Sequence, residues 1–358
     1  EVMSITGKGL VPLSTGLNIE EAVLTYSTYD TSFFDFIIPV KHPISYTTTI
    51  IEPKDKTVFD LAGTVQQAII DEDNDYVIYV DENQDLNIYD YQNQTSTLFP
   101  FDLNIYDLII HEDILYVAMM EGNKNYKPDV MDGSIVLIDL INLTEKQRID
   151  LPITPDSIGI LNDHTISIST YQYDMRGEFL YNLTTDELIE VSQHPNGDTR
   201  IYQEEEDMIL LVNSRGVDYY NVNETTFRSV EHHYFNIDYQ EEPPMIMSFS
   251  SDGSYIFINQ GYYYDLENNQ MYSNGLHYYY GERTEQGHFF VSRSNGIYLL
   301  DSNFEIIGAM LYSYSSYALA LDDNYLINVS ENQIEIFDVS ELKMIDINPE
   351  IDDNEDET

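Results

Sequence analysis

The feature that most constrains the fold of this 358-residue chain is a sequence motif that recurs along it. Its clearest copy, MSFSSDGSYIFINQGYYYDLENNQ at residues 247–270, contains an acidic turn, an apolar run, a second short run that ends in Asp, and a polar turn. Related copies of the motif occur at 68–101, 157–191 and 317–347. Repetition of this kind indicates an architecture in which each unit buries its faces against its neighbours.

The spacing of the recurring motif sets the length of the structural repeat. From first to last, the acid or amide that closes the third run recurs on average about every 41 residues, which is typical of four-stranded propeller blades. These closing residues are Glu52, Asp90, Asp139, Asn182, Asn221, Asp265, Asp301 and Asp338. No helical periodicity competes with the pattern. The sequence therefore predicts an all-β fold, a β-propeller of four-stranded antiparallel blades.

The second run of each unit supports this prediction. DYVIYV at 75–80, ILYVAMM at 114–120, MILLV at 208–212 and YIFI at 255–258 are apolar on consecutive residues. Such runs are typical of strands that are buried on both faces, as the inner strands of stacked blades are.

The number of blades depends on the first unit, at 22–63, which lacks the acidic first turn of the others. We expect eight blades, with seven blades plus an N-terminal extension as the alternative. The domain boundaries that follow are an N-terminal segment at 1–20, a single propeller domain at 21–349, and an acidic, disordered tail at 350–358.

SSDGSYIFI at 250–258 and YYYD at 262–265 resemble the four-stranded repeat of WD40-like and YVTN, or lactonase-like, β-propellers. TTIIEPKDKTVFDLAG at 48–63 is similar to the third and fourth strands of the YVTN type. The resemblance spans roughly residues 21–349 and is architectural. Because lactonase-like propellers include enzymes, it implies, as an alternative function, a hydrolytic propeller with its site in the central funnel.

The charge of the chain limits its partners and suggests its setting. The formal net charge is −49, from 64 acids against 15 Lys and Arg, so we expect no nucleic-acid partner, because phosphate binding needs a basic surface. Acid-rich, lysine-poor surfaces resemble those of proteins from saline or alkaline habitats, where salt screens the repulsion. The chain has no cysteine, no apolar stretch long enough for a spanning helix, and no secretory signal at its start. We expect an extracellular or cell-surface location with any signal removed, or the cytoplasm of a salt-adapted cell.

The scarce cations are not spread evenly over the predicted blades. The one-to-two turns are acidic, whereas cations fall in or beside the two-to-three loops, which lie on the opposite face. The longest such loop, at 121–134, adds a tyrosine, and the four-to-one joins on the same face add histidines. We predict that this face, with the central funnel, binds a protein or glycan partner. The predicted partner-binding residues are Lys41, Lys124, Tyr126, Lys127, Arg176, Arg215, His232 and Arg293.

Two other motifs have a structural and a functional interpretation. Asp71, Asp73 and Asp75 alternate as calcium ligands do, but the glycine and the distal glutamate of an EF-hand loop are missing. A solvated hairpin turn is the favoured interpretation, and Ca²⁺ is possible but not favoured. Asn-x-Ser/Thr sequons, which make glycosylation possible, begin at Asn93, Asn142, Asn182, Asn223 and Asn328.

Motifs that mark common catalytic sites are missing from the sequence. It contains no G-x-S-x-G, P-loop, dinucleotide-binding glycine motif or H-E-x-x-H, so we assign no catalytic residue and expect no cofactor. The expected function is a non-catalytic propeller that serves as a binding or scaffold protein. The sequence leaves the oligomeric state open.

Overall fold

The computed structural model describes residues 11–13, 16–18, 49–121, 133–162, 164–172, 175–191, 199–203, 208–213, 216–223, 226–234, 246–250, 254–258, 262–268, 270–273, 280–284, 286–293, 296–311 and 316–346. These residues form strands and turns, and no helix occurs among them.

The strands, in chain order, are β1 (Val11–Leu13), β2 (Gly16–Asn18), β3 (Thr49–Glu52), β4 (Asp55–Asp60), β5 (Val65–Asp71), β6 (Tyr76–Asp81), β7 (Leu86–Asp90), β8 (Thr95–Phe99), β9 (Asn104–His111), β10 (Ile114–Met120), β11 (Gly133–Asp139), β12 (Thr144–Leu151), β13 (Ser157–Asn162), β14 (Thr165–Gln172), β15 (Met175–Asn182), β16 (Glu187–Glu190), β17 (Thr199–Gln203), β18 (Met208–Asn213), β19 (Gly216–Asn223), β20 (Thr226–Tyr234), β21 (Ile246–Phe249), β22 (Tyr255–Ile258), β23 (Tyr262–Asp265), β24 (Gln270–Ser273), β25 (Tyr280–Arg283), β26 (Phe289–Arg293), β27 (Gly296–Leu300), β28 (Ile306–Leu311), β29 (Ser316–Asp322), β30 (Tyr325–Ser330), β31 (Gln333–Asp338) and β32 (Lys343–Asp346).

Most of the sheets are antiparallel meanders of consecutive strands. Five four-stranded sheets are β5–β8, β9–β12, β13–β16, β17–β20 and β21–β24. A sixth four-stranded sheet has the order β29-β30-β31-β4, so its outer strand comes from near the other end of the chain. A further sheet has six strands in the order β25-β26-β27-β28-β3-β32, in which β3 pairs with β28 in parallel. β1 and β2 form a separate pair.

Buried apolar side chains fill the spaces between neighbouring sheets. Ile78 and Leu86 of the β5–β8 sheet pack with Val117 and Val136 of the β9–β12 sheet. Similar clusters join β9–β12 to β13–β16, β21–β24 to β25–β28, β25–β28 to β29–β31, and β29–β31 to β5–β8. The last of these interfaces joins the C-terminal strands to the first complete meander. The fold is therefore an all-β propeller with four-stranded antiparallel blades, as predicted.

The predicted number of blades is wrong. The described residues form six four-stranded blades, which matches neither the eight expected nor the alternative of seven, because the sheet between β21–β24 and β29-β30-β31-β4 has six strands. The prediction treats the region 22–63 as a blade of its own, or as an N-terminal extension of seven blades. Its described strands instead complete two other sheets: β3 pairs with β32, and β4 pairs with β31 from Asp55↔Asp338 to Asp60↔Gln333. A repeat of about 41 residues cannot predict pairing between strands so far apart in the chain.

Most of the predicted strand-end residues mark turns, although Asn221 lies inside β19. β7, β11, β23 and β31 end at Asp90, Asp139, Asp265 and Asp338. After the first three, the Asn three residues later donates both its backbone N–H and its side-chain Nδ2 to the two carboxylate oxygens. These bonds are 2.7 and 2.8 Å for Asp90–Asn93, 2.8 and 2.9 Å for Asp139–Asn142, and 2.9 and 2.9 Å for Asp265–Asn268. This arrangement, named the Asp-Asn clamp here, satisfies the turn locally.

The second strands whose burial is described, β6, β10 and β22, are buried on both faces, as predicted. The burial of MILLV at 208–212, in β18, lies outside the described residues. Five of the six residues of β6 and six of the seven residues of β10 are buried. Ile256 and Phe257 of β22 are also fully buried. The sheets on either side of each second strand provide this environment.

A polar chain crosses all four strands of the β29-β30-β31-β4 sheet. Ser316 donates to Asn328 (Oγ to Oδ1, 2.6 Å), and Asn328 donates to Glu335 (Nδ2 to Oε2, 2.9 Å). Lys56 of β4 completes the chain with Nζ 2.6 Å from Glu335 Oε1. Because Glu335 is only 3% exposed, the lysine supplies charge to a carboxylate that would otherwise be buried without a cation.

Candidate partner-binding face

The meander topology places all two-to-three loops and four-to-one joins on one face of the propeller, which we name the loop face. Lys124, Tyr126 and Lys127 fall between β10 and β11, and Arg215 falls between β18 and β19. Arg176, Arg293 and His232 are positions in β15, β26 and β20, respectively.

The predicted partner-binding residues are described only in part. Lys41, Lys124, Tyr126, Lys127 and Arg215 lie outside the described residues. For Arg176, His232 and Arg293, the backbone is described and the side chain is not. Their role in binding therefore stays a prediction.

A cleft of about 500 Å³ opens on the loop face where the longest loop leaves and rejoins the β9–β12 sheet. Glu121 and Gly133, the residues on either side of this loop, both line it. Other residues of its wall are Leu103, Ser134, Arg148, Asp150 and Pro152. The cleft thus lies at the loop that the sequence singled out, but none of the predicted partner-binding residues lines it.

Strand register decides which side chains share the cleft. Ser134 of β11 pairs with Asp150 of β12, and Val136 pairs with Arg148. Because paired residues project from the same face of a sheet, and alternate residues along a strand do too, Ser134, Asp150 and Arg148 lie on one face. Val136 packs towards the β5–β8 sheet, so the cleft lies on that side of β9–β12.

Arg148 is held in place at the edge of the cleft. Its Nη2 and Nε lie 3.3 and 3.4 Å from the two carboxylate oxygens of Glu145. Its guanidinium carbon also lies 5.7 Å from the centre of the Phe101 ring, within the range of a cation–π contact. Phe101 belongs to the join between β8 and β9, so Arg148 ties this join to the outer strand of the sheet.

Ser134 contributes a buried hydroxyl that has no hydrogen-bond partner among the described residues. The residue is 2% exposed. Buried hydroxyl groups in proteins nearly always have a partner, because an unpaired one loses its bonds to water without replacement. An unpaired hydroxyl beside an open cleft therefore indicates a place where a ligand atom can bind.

Gly133 lines the cleft and lies close to the join between β12 and β13. A Cβ atom at this position would lie 2.2 Å from Pro155 Cδ and 2.6 Å from the carbonyl oxygen of Ile153. The join between β12 and β13 thus packs directly against the strand. Any side chain at residue 133 would displace this join.

Polar bonds between neighbouring blades also hold the loop face together. Gln84 of the β6–β7 turn accepts the backbone N–H of Ile105 at 3.0 Å. Asp107 of β9 accepts the N–H of Ile158 in the next sheet at 2.8 Å. These bonds fix the start of an inner strand to its neighbour, which gives the face a defined shape.

Sequence reasoning did not include Arg148 or Asp150, and it included Glu121 and Ser134 only as the ends of the loop at 121–134. No motif marks them, because their proximity depends on the β11–β12 register and on the join that packs over it. The one available signal was the Gly-Ser pair at 133–134, directly after the longest loop. A glycine followed by a small polar residue at a strand start is a weak indication of close backbone approach.

The Asp71, Asp73 and Asp75 motif forms the β5–β6 turn. Asp71 accepts Asn74 Nδ2 at 2.9 Å and the Asn74 N–H at 3.3 Å, which is an Asp-Asn clamp in a one-to-two turn. Within the described ranges, no group of three or more His, Asp or Glu side chains is arranged to hold a metal ion. The hydrogen bonds of Asp71 support the interpretation of this motif as a hairpin turn.

The sequons differ in their surroundings. Asn93 and Asn142 are exposed and belong to Asp-Asn clamps, while Asn182 caps its turn by accepting the N–H groups of Thr184 and Thr185. The side chain of Asn223 lies outside the described set. Asn328 is 3% exposed and hydrogen-bonded on both sides within its blade, so the folded blade has no room for a glycan there.

Comparison with known proteins gives a likeness of fold. No protein-family model and no curated protein matches the chain. Among solved structures, the β-propeller domain of Cps50 (Swd1) from Myceliophteria thermophila is similar, with a TM-score of 0.58 and 11% sequence identity over 80% of this chain and 100% of that one. At this identity the likeness concerns the fold alone, and it confirms the WD40-like resemblance. None of the described segments is a helix with the length and hydrophobicity needed to cross a bilayer.

Proposed function

We propose that this protein is a non-catalytic β-propeller that binds a partner protein through its loop face and so serves as a binding or scaffold module. The observation that carries the proposal is the cleft beside the longest loop, where the buried Ser134 hydroxyl has no hydrogen-bond partner within the described part of the chain. The WD40-like fold supports the proposal at the level of architecture, since propellers present loops on a rigid ring of blades. Within the described part of the chain, no observation favours the hydrolytic alternative.

The proposal includes a saline or alkaline setting at the cell surface or outside the cell. The net charge of −49 supports it, because repulsion on this scale is best tolerated where salt screens it. The exposed sequon residues Asn93 and Asn142 are compatible with secretion. The intact mass of the protein from its native source checks this. Increments of sugar size support a secreted form, whereas an unmodified protein recovered from the cytoplasm contradicts it.

Affinity capture with two matched variants tests the partner-binding role. One variant replaces Lys124, Lys127 and Arg215 of the loop face with Gln. The control replaces Glu112, Asp323 and Glu305, which are exposed residues in turns of the opposite face, with Gln or Asn. A partner protein that the control and the unmodified chain retain, and that the loop-face variant loses, supports the proposal. Equal capture by both variants overturns it.

A further inference from the structure

We propose that the cleft lined by Leu103, Glu121, Ser134, Asp150 and Pro152 is a binding site for one basic side chain, lysine or arginine, of the partner protein. The inference rests on the proposed function, because it names the chemistry that the loop face recognises. It concerns a site away from the predicted central funnel and independent of the cations that the sequence singled out.

Charge is the first reason. Glu121 and Asp150 are exposed acids on the wall of the cleft. Arg148 is the cation on this wall, and the carboxylate of Glu145, 3.3 Å from its Nη2, offsets its charge. The cleft therefore has a net negative charge in a chain that is itself strongly acidic. Complementary charge of this kind steers and selects a cationic group.

The unpaired hydroxyl is the second reason. Ser134 and Asp150 are directly paired across β11 and β12, which places their Cβ atoms about 5 Å apart on the same face. An ammonium or guanidinium group has several N–H donors and no acceptor. One such group between these residues can donate to both the Ser134 hydroxyl and the Asp150 carboxylate. This would satisfy the hydroxyl that has no partner among the described residues.

The shape of the cleft is the third reason. Leu103 and Pro152 give its wall an apolar part, which suits the aliphatic stem of lysine or arginine below its charged end. A volume of about 500 Å³ lies within the range of small-ligand sites. A carboxylate ligand would face two acids, and a purely apolar ligand would leave Ser134 unpaired.

Peptide binding to the full chain tests the inference. The probe is a fluorescein-labelled peptide with one lysine between glycine and serine residues, and the control peptide carries norleucine, which removes the charge and keeps the stem. Fluorescence anisotropy at low salt measures affinity for both. We expect the lysine peptide to bind at least about tenfold more tightly than the norleucine peptide, because the charge supplies the main contact.

Substitutions in the cleft have opposite expected effects, which a merely structural role would not produce. Asp150→Asn should weaken binding of the lysine peptide about fivefold to tenfold, and Ser134→Ala by a few fold. Arg148→Gln should strengthen binding by a few fold, because it removes a cation and leaves Glu145 uncompensated. Glu112→Gln, on the opposite face, is the matched control for loss of one negative charge. Thermal unfolding of each variant checks that it is folded.

Three results would overturn the inference. The first is equal weakening by Asp150→Asn and Glu112→Gln, which would indicate general attraction to an acidic protein. The second is weaker binding by Arg148→Gln. The third is equal affinity for the lysine and norleucine peptides, which would show that the cleft does not recognise the charge.

Partner capture separates failure of this inference from failure of the proposed function. Loss of the partner with Asp150→Asn as well as with the loop-face variant supports both proposals. If the loop-face variant loses the partner and Asp150→Asn retains it, the cleft assignment is overturned and the proposed function stands. If the loop-face variant retains the partner, the proposed function itself fails.

Discussion

Two turns of this propeller share the sequence Asp-x-x-Asn and differ in their response to protons. In the β11–β12 turn, Asp139 is clamped by Asn142 at 2.8 and 2.9 Å, and these bonds hold the pKa of Asp139 below its usual value. In the β5–β6 turn, Asn74 clamps Asp71 in the same way, yet burial raises the pKa of Asp71. The comparison teaches that the hydrogen bonds of a turn are local, whereas the charge that it tolerates depends on the tertiary surroundings.

The surroundings of Asp71 are the seam between the β5–β8 and β29-β30-β31-β4 sheets. Here the β5–β6 turn meets the β29–β30 turn, and acids face each other across the seam. Burial, reinforced by Asp322, Asp73 and Asp71, raises the pKa of Glu72 to about 7. The pKa of Asp322 is also raised, mainly by burial and by the neighbouring Asp323. By contrast, Asp139 lies at the surface, away from such a cluster.

The largest effect on stability is expected at Glu335, a buried acid that is paired with a cation. It provides a third environment to compare with those of Asp71 and Asp139. Glu335 is 3% exposed and accepts from Lys56 and Asn328. Glu335→Ala removes the centre of this chain and should lower the free energy of unfolding by about 3 kcal/mol, because both partners lose their acceptor. Urea unfolding measures the loss. Glu335→Gln, which keeps an acceptor for Asn328, should lose less, and a loss below about 1 kcal/mol for Ala would contradict this account.

The next effect concerns Glu72 at the seam. Because its pKa is about 7 in the folded protein, against an ordinary value of 4.5, the folded state binds the extra proton between these two pH values. Its charge therefore lowers stability as pH rises from about 4.5 to about 7, and the cost stays constant above that. Glu72→Gln should match the unmodified protein near pH 4.5 and be more stable at pH 8 by about 2 kcal/mol, a value reduced for solvent screening.

Urea unfolding at several pH values measures the difference between Glu72→Gln and the unmodified protein. The matched control is Glu112→Gln, an exposed acid in the one-to-two turn of the next sheet. A constant difference across this pH range would show that ionisation of Glu72 does not destabilise the folded protein.

Matching substitutions of Asp71 and Asp139 test the comparison between the two turns directly. Asp71→Asn keeps one acceptor and removes a buried charge, so at pH 7 it should be neutral or stabilise by up to about 1 kcal/mol. Asp139→Asn should destabilise at pH 7, since a lowered folded-state pKa stabilises the fold above the unfolded pKa of 3.8. This contribution disappears as pH falls through the folded-state pKa, so the curves for Asp139→Asn and the unmodified protein should converge in acid. Thermal unfolding of the two variants would contradict the comparison if both changed stability in the same direction.

The smallest expected effect is a difference in salt response. The melting temperature of the unmodified protein should rise with NaCl, because salt screens the repulsion among its acids. Glu72→Gln should rise slightly less, since it has one repulsive contact fewer at the seam, while Asp139→Asn should match the unmodified slope. Calorimetry from dilute buffer to molar NaCl gives the three slopes. A flat or falling series for the unmodified protein would refute the screening argument.

The sequence by itself determined the unit of the fold. The acids that close β7, β11 and β23 and the Asn three residues after each specify a turn through bonds between near neighbours, so the local sequence contains all that is needed. Consecutive apolar residues determined the doubly buried second strands in the same way. This is why the four-stranded blade could be predicted before its place in the ring was known.

Only the tertiary structure decided how many blades form, which acids have raised pKa values and where the cleft lies. β4 pairs with β31, and Lys56 meets Glu335 across 279 residues of sequence, a contact that no period of about 41 residues encodes. The raised pKa of Glu72 depends in part on Asp322 in a turn of another sheet, and the wall of Ser134, Asp150 and Leu103 depends on strand register and a join that packs over it. The reason is that burial and electrostatic repulsion depend on everything nearby in space, whereas a turn depends on its own few residues.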